Sequence, residues 1–313
     1  MGLSFDFIHG GGQLAELIKT KDWSGTSIGA PESWPESLKL AINISLNSGF
    51  PIAIYWGEDF TLLYNDAWSS IPGDKHPWIL GKPGTEAWPE IWDVIGPEFQ
   101  SVLNSGESIR RPDALLLMNR FGYVEECYFD YTLSPVMDTE GKVGGIFNAV
   151  IETTYKVINE RRKQLLHQLL LSNLERNIAE SLINIEYMIA AAKDDIPFSC
   201  LYTFEDHQFE KERMVLSTGI KKNEHLKAVW PFPKGFDNSS IYIDDLDKYF
   251  TEPISGKYGE PCTEALIVPV TGGKGKVNGH FVLGVSPRKK LDEEYRHFLE
   301  SVGLHIGNIF LGC

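Results

Sequence analysis

Hydrophobic and polar residues alternate most regularly over "YVEECYFDYTLSP", residues 123–135. Cys127, Phe129, Tyr131 and Leu133 fall on one side of an extended chain, and Glu126, Tyr128, Asp130 and Thr132 on the other. Four more runs have strand character: "IAIYW" (52–56), "FTLLYN" (60–65), "DALLLM" (113–118) and "VGGIFNAVIET" (143–153). The first two are joined by "GED", a hairpin signal, and "MDTEGK" is the turn before the last. The pattern predicts a five-stranded antiparallel sheet, with short helices of 66–106 inserted after its second strand. A helix is expected from Pro35 to Asn47, with Leu38, Ile42 and Leu46 on one face. The first 35 residues are rich in Gly and turn formers, with one short helical pattern, "QLAELIKT".

From Tyr155 to about Lys193 there is neither Gly nor Pro, and helix formers dominate. Leu171, Leu174, Ile178, Leu182, Ile185 and Ile189 keep a helical stripe, and the apolar face widens near 165–171. One helix of ~38 residues would be ~57 Å long, more than one domain's core needs. It reads as a connector between domains or as a dimer seam, although Ser181 interrupts the heptad. Strand signals return in "FSCLYTF", "ERMVLSTG", "EALIVPV" and "GHFVLGVS". A last helix starts at its N-cap Asp292 and buries Tyr295, Phe298, Leu299, Val302, Ile306, Ile309 and Phe310. Gly303 and Gly307 are spaced for close backbone approach. The fold class is α+β: two domains, each a mainly antiparallel sheet with helices, joined by a long helix. The boundaries are an N-terminal extension 1–35, a first domain 36–155, a connecting helix 156–193 and a second domain 178–313.

Composition narrows the function. The 313 residues are 42% hydrophobic and 23% charged, as in a globular protein, and the formal charge of −14 disfavours nucleic acid and anionic membranes. The four cysteines are scattered, so neither a zinc site nor a disulfide framework is indicated. No apolar run is long enough to span a membrane, and a cytoplasmic location is expected. "HGGG" (9–12) and "GTSIG" (25–29) imitate hydrolase motifs, but no strand precedes Ser27. A serine hydrolase using Ser27 stays as an alternative, as does a ligand-free partner-binding module. "TGGKGKVNG" (271–279) lacks the Lys-Ser/Thr ending of a phosphate loop. No metal cluster is visible.

"DWSGTSIGAPESWPESL", then "YNDAW", then "WPEIWDVIGPEF", closely resemble the N-terminal PAS-type domain of bacterial sensor histidine kinases, over roughly residues 10–155. "YFDYTLSPVMDTEGKVGGIFNAVIETT" resembles the last two strands of that domain. Residues ~178–313 resemble a GAF domain, mainly through "HFVLGVSPRKKLDEEYRHFLESVGLHIGNI". The resemblance implies the sensory input and dimerisation region of a two-component kinase. The phosphoacceptor helix and ATP-binding domain of such kinases are not among these residues, so no catalytic residue is assigned. The kinase core would lie in a longer parent or a partner protein. A homodimer through residues 158–190 is expected.

A small-molecule pocket between sheet and inserted helices is the functional alternative to plain core packing. Its candidates are Trp56, Tyr64, Asn65, His76, Trp78, Trp88, Trp92, Phe129, Tyr131 and Asn148. Such a pocket would be mostly aromatic, suited to an apolar or planar ligand rather than a phosphate or metal ion. No cofactor is named by the sequence.

Overall fold

The computed structural model of the chain describes residues 5–172, 178–204, 212–220, 226–233, 238–271 and 277–309, the side chain of Ile178 excepted. Residue contacts divide it into two units, Met1–Val157 and Ile158–Cys313.

In the first unit the alternating runs become β1 (Ile52–Trp56), β2 (Thr61–Tyr64), β3 (Ile109–Asn119), β4 (Val124–Met137) and β5 (Val143–Glu152). They form one antiparallel sheet in the order β2-β1-β5-β4-β3. Cys127, Phe129, Tyr131 and Leu133 are buried, as the alternation of β4 requires. β1 and β2 are buried along their whole length. The helices are α1 (Gly12–Thr20), α2 (Glu36–Leu46), α3 (Gly84–Ala87) and α4 (Trp92–Ser105), and Leu38, Ile42 and Leu46 give α2 its buried stripe. Residues 1–35 are more than an extension: Leu14, Ala15, Ile18, Trp23 and Trp34 bury in the same core. The Trp23 and Trp34 rings meet edge to face at 5.1 Å. Each indole donates to a carbonyl, Trp23 to Ile18 at 2.8 Å and Trp34 to Gly29 at 2.9 Å, so the polar handles are satisfied.

The gap-free stretch 155–193 is not one straight helix. It forms α5 (Thr154–Ser172) and α6 (Ile178–Ala191), and α6 folds back along α5. Arg161 Nε donates to Asp195 Oδ2 at 2.7 Å and Arg162 Nε to Asp195 Oδ1 at 2.9 Å. A continuous helix would hold these residues roughly 50 Å apart at 1.5 Å per residue. The cause is the wide apolar face near 165–171, which needs a partner. Leu165, Leu169, Ile185 and Ile189 share one core with the sheet of the second unit. Ile185 and Ile189 are therefore spent inside the chain rather than on a dimer seam. Leu182 is partly buried against the same core and Leu171 is exposed. Leu174 and the side chain of Ile178 lie outside the described residues.

The second unit continues with β6 (Ser199–Phe204), β7 (Glu212–Thr218), β8 (Ile241–Ile243), β9 (Ile254–Ser255), β10 (Pro261–Cys262), β11 (Ala265–Thr271) and β12 (Val277–Gly284). Its main sheet runs β7-β6-β12-β11-β8, all antiparallel, and β9 pairs with β10 apart from it. Helix α7 (Glu293–Ile309) is capped by Asp292, whose Oδ1 accepts the Tyr295 N–H at 2.8 Å. It packs on β11 so closely that a Cβ at Gly303 would sit 2.7 Å from Val268 Cγ2, and one at Gly307 2.1 Å from the Thr271 carbonyl oxygen. Phe310 and the residues 272–276 of the Gly-Lys turn lie outside the described residues. Among the described residues no helix is long and apolar enough to cross a membrane.

Asp195 is nearly fully buried between the two arginines and Arg162 is equally enclosed. Removing the charge strands the enclosed Arg162 guanidinium, while Arg161 keeps Asp194 at 3.9 Å. Asp195→Asn should destabilise the second unit by about 3 kcal/mol or more in urea unfolding; a loss below about 1 kcal/mol would show that apolar packing alone closes the hairpin.

Candidate functional site

Between the sheet and the α3–α4 region of the first unit lies a cavity of about 50 Å³. β4 contributes Phe129, Tyr131 and Leu133, β3 Leu116 and Met118, β5 Asn148 and Val150, and β1 Tyr55. Trp68, Ile71, Trp88, Ile91, Ile95 and Phe99 close it from the inserted segment. The strand residues are i, i+2 pairs, and Ile95 and Phe99 are an i, i+4 pair on α4, so each element turns one face inward. The volume holds about three or four waters at the ~10–15 Å³ each needs.

No charged side chain lines the cavity. Trp88 Nε1 donates to the Tyr55 hydroxyl at 2.9 Å, and burial pushes the Tyr55 pKa upward, so its proton stays on. The Tyr131 hydroxyl is engaged at 2.7 Å by Glu98 Oε2, and Asn148 Nδ2 donates to the Thr132 carbonyl at 3.3 Å. Trp68 Nε1 is different: it is buried and has no acceptor among the described residues. A buried donor left without a partner costs about 1–3 kcal/mol. Trp68, with its unpartnered buried N–H, and Tyr55, whose hydroxyl accepts from Trp88, both line the cavity.

Of the pocket candidates, the structure brings Trp88, Phe129, Tyr131 and Asn148 to this cavity. The other six lie elsewhere. Trp56 is buried against Gly144 and Gly145. Trp92 lies over Gly84 and Gly96 and touches Phe60 and Phe99. Tyr64 packs on Trp68 at 4.6 Å and its hydroxyl meets His76 Nδ1 at 2.9 Å. Trp78 is half exposed, beside a polar surface hollow with Asp74, Lys75, Glu86 and Glu90. Asn65 has a structural task. Its Oδ1 accepts the N–H of Ile52 at 3.1 Å and of Trp68 at 3.0 Å. Its Nδ2 faces the carbonyls of Ser45, Ser48 and Phe50 at 2.9, 3.2 and 2.7 Å. Tyr55 and Trp68 line the cavity and were not singled out by pattern. In fully buried β1 the alternation of polarity is silent, and Trp68 stands in the inserted segment, outside any alternating run.

Below the cavity, the Arg120 guanidinium grips Glu152 with two bonds of 2.8 and 3.0 Å and Glu125 with one of 2.9 Å. Its Nη1 also reaches the carbonyl of the cavity residue Ile71 at 3.5 Å. Glu152 Oε1 accepts the Thr154 hydroxyl at 2.8 Å, and Thr154 Oγ1 accepts the Tyr128 N–H at 2.9 Å. Thr154 is the first residue of α5, so an ion cluster joins the cavity wall to the start of that helix. Cys127 sits beside it, and burial pushes its thiol far up against the pull of Arg120. Ser27 lies in a turn, its hydroxyl 2.7 Å from that of Thr61; among the described residues no histidine or carboxylate hydrogen-bonds it. Cys127, Cys200 and Cys262 are buried and none of them forms a disulfide among the described residues. Among the described residues no group of His, Cys, Asp and Glu could hold a metal ion.

No protein-family model matches the chain, and no curated protein matches it. Among solved structures it is similar to the GAF domain of an Acinetobacter phosphoenolpyruvate-protein phosphotransferase, at 14% identity over 49% of this chain and 92% of that one, with a TM-score of 0.34. It is similar at 14% identity to a free methionine-R-sulfoxide reductase from Neisseria meningitidis, over 48% of this chain and 87% of that one, TM-score 0.34. A sensory box sensor histidine kinase from Vibrio cholerae is 15% identical over 37% of this chain and 86% of that one, TM-score 0.26.

Asn65→Asp is isosteric but turns a donor into an anionic acceptor facing three carbonyls. It should destabilise the first unit by about 3 kcal/mol or more at neutral pH. The folded state raises the pKa of the new carboxyl, so the penalty grows with pH above the unfolded value of ~3.9 and fades below it. Urea unfolding at acid and neutral pH checks both size and direction.

Proposed function

We propose that the chain is a sensory input module in which the first unit binds a small neutral molecule and passes the event to α5. The observation that carries this reading is the orphaned Trp68 N–H in an uncharged, aromatic cavity. Its complement is a hydrogen-bond acceptor without charge, such as the carbonyl of a small aldehyde, ketone or ester. An anion would lose its hydration and meet no cation there. The volume favours a compact molecule of a few heavy atoms.

The residue resemblance of the first unit to PAS-type domains and of the second to GAF domains supports the same reading. A ligand acts only through unequal affinity for two states. The Ile71–Arg120–Glu152–Thr154 cluster is the contact through which a change in the cavity wall reaches α5. In this reading the output goes to a histidine-kinase core in a longer parent chain or a partner protein, and the chain performs no catalysis itself. A homodimer of such a module would use surfaces other than Ile185 and Ile189.

Trp68→Phe keeps the ring and removes the donor. Affinity for a neutral carbonyl probe, cyclopentanone, should fall about tenfold, the worth of one buried hydrogen bond. Phe129→Trp should fill the cavity, raise the melting temperature slightly and abolish the binding seen by titration calorimetry. A destabilisation of about 1–3 kcal/mol by Phe129→Trp would mean that the site is already close-packed and would remove the pocket from the proposal.

A further inference from the structure

The sheet of the first unit has one closed edge and one open edge. At the β2 edge, Leu62 donates to the Lys82 carbonyl at 2.9 Å and accepts from the Gly81 N–H at 2.7 Å. At the β3 edge, the ladder itself identifies which backbone groups point outwards. Opposed residues of an antiparallel pair alternate between those whose N–H and C=O face each other and those whose groups face away. Tyr128, opposite Leu115, turns its N–H to Thr154 and its carbonyl to the N–H of Thr153, on the β5 side. Asn119 sends its N–H outwards to Glu90 Oε1 at 3.1 Å. Leu115, Leu117 and Asn119 are therefore the outward-facing positions. Among the described residues no hydrogen bond reaches the N–H or C=O of Leu115 or Leu117 from beyond the edge.

Edge strands are commonly defended by charge, proline or a bulge. β3 has all three, but only at its start: Arg110, Arg111 and Pro112, a bulge between Arg111 and Ala114, and Asp113 at φ +45°. From Ala114 to Met118 the strand reads "ALLLM", with no such defence, and Leu115 and Leu117 are partly exposed on its outer face. The two ends of this open run differ in charge. Arg110 and Arg111 are exposed at its beginning, and Arg110 meets Asp130 only at 3.4 Å. At its other end Asn119, Arg120 and Gly122 border the hollow that holds Asp74, Glu86 and Glu90. Arg120 is spent on Glu125 and Glu152, Lys75 bonds Glu90 at 2.5 Å, and Lys82 bonds Glu86 at 3.0 Å. The exposed Asp74 is the carboxylate left to a partner.

We propose that the β3 edge is a homodimer interface in which two copies pair their β3 strands antiparallel about a two-fold axis through Leu116. That register sets Leu115 of each copy opposite Leu117 of the other, so outward groups meet outward groups and each such pair exchanges two backbone hydrogen bonds. It also lays the basic beginning of each strand alongside the acidic end of its mate, twice by symmetry. The charge match is what favours a second copy over a strand from another protein. The inference is independent of any ligand in the first unit.

Sedimentation equilibrium of the full chain over a concentration series tests it. The chain should dimerise reversibly, and in hydrogen exchange the amides of Leu115 and Leu117 should gain protection as concentration rises. Leu117→Pro removes an outward N–H and no bond of the β3–β4 ladder, and should weaken self-association about tenfold or more. Arg110→Glu and Asp74→Lys should each weaken it about fivefold, and an equimolar mixture of the two variants should restore it, since every contact is then between opposite charges. That mixture decides the matter should Leu117→Pro fail to fold. A monomer at the highest soluble concentration overturns the proposal and leaves the edge to a foreign strand. A dimer that is indifferent to the charge variants, or one whose Leu115 and Leu117 amides stay unprotected, overturns it by placing the interface elsewhere.

Discussion

The carboxamide of Asn65 is the point on which the first unit is assembled. Five backbone groups converge on it, from the end of α2, the loop before β1, the first residue of β1 and the turn that follows β2. Only a side chain with an acceptor and two donors on one carbon satisfies such a set. The acceptor holds the N–H of Trp68, so the same group that joins helix to sheet also fixes where the indole stands. The cavity inherits its donor from a structural bond. One side chain thus sets both the joint of helix and sheet and the place of the indole, while Phe129 and Tyr131 line the cavity from β4.

Charge plays the corresponding part in the second unit. Asp195 neutralises two neighbouring arginines of α5, and the Tyr295 hydroxyl donates to its backbone carbonyl. The Arg162 guanidinium also lies 4.1 Å from the centre of the Tyr295 ring. Buried ion pairs contribute less to stability than they cost when broken. Their effect here is on specificity: apolar faces alone would let α5 and α6 slide, and a carboxylate shared by adjacent arginines admits one register.

β4 was legible because Cys127, Phe129, Tyr131 and Leu133 are apolar and buried while Tyr128, Asp130 and Thr132 on the other face are only partly so, and polarity there records the pleat. The capping role of Asp292 was legible because a cap is a local event. What the sequence left open has a physical pattern too. β1 is buried throughout, so nothing distinguished Tyr55, which faces the cavity, from Trp56, which does not. The fold-back of α6 was hidden because its determinants, Arg161, Arg162 and Asp195, are more than thirty residues apart and helix propensity reports only on neighbours. The width of the apolar face near 165–171 was the one available sign, and it was read as a seam between chains.

The two glycines of α7 give the second unit a mechanical property. At Gly303 and Gly307 the helix rests directly on β11 with no side chain between, while Leu299, Val302 and Ile306 pack beside them in the shared core. Interfaces built of long side chains yield to small displacements by rotamer changes; Gly303 and Gly307 have none to offer. Rotation of α7 about its axis would drive a neighbouring side chain into Val268 or the Thr271 carbonyl, and sliding along it would do the same one turn later. These two positions therefore fix the registration of α7 on β11 by contact of backbone with strand, which a change of rotamer cannot relax.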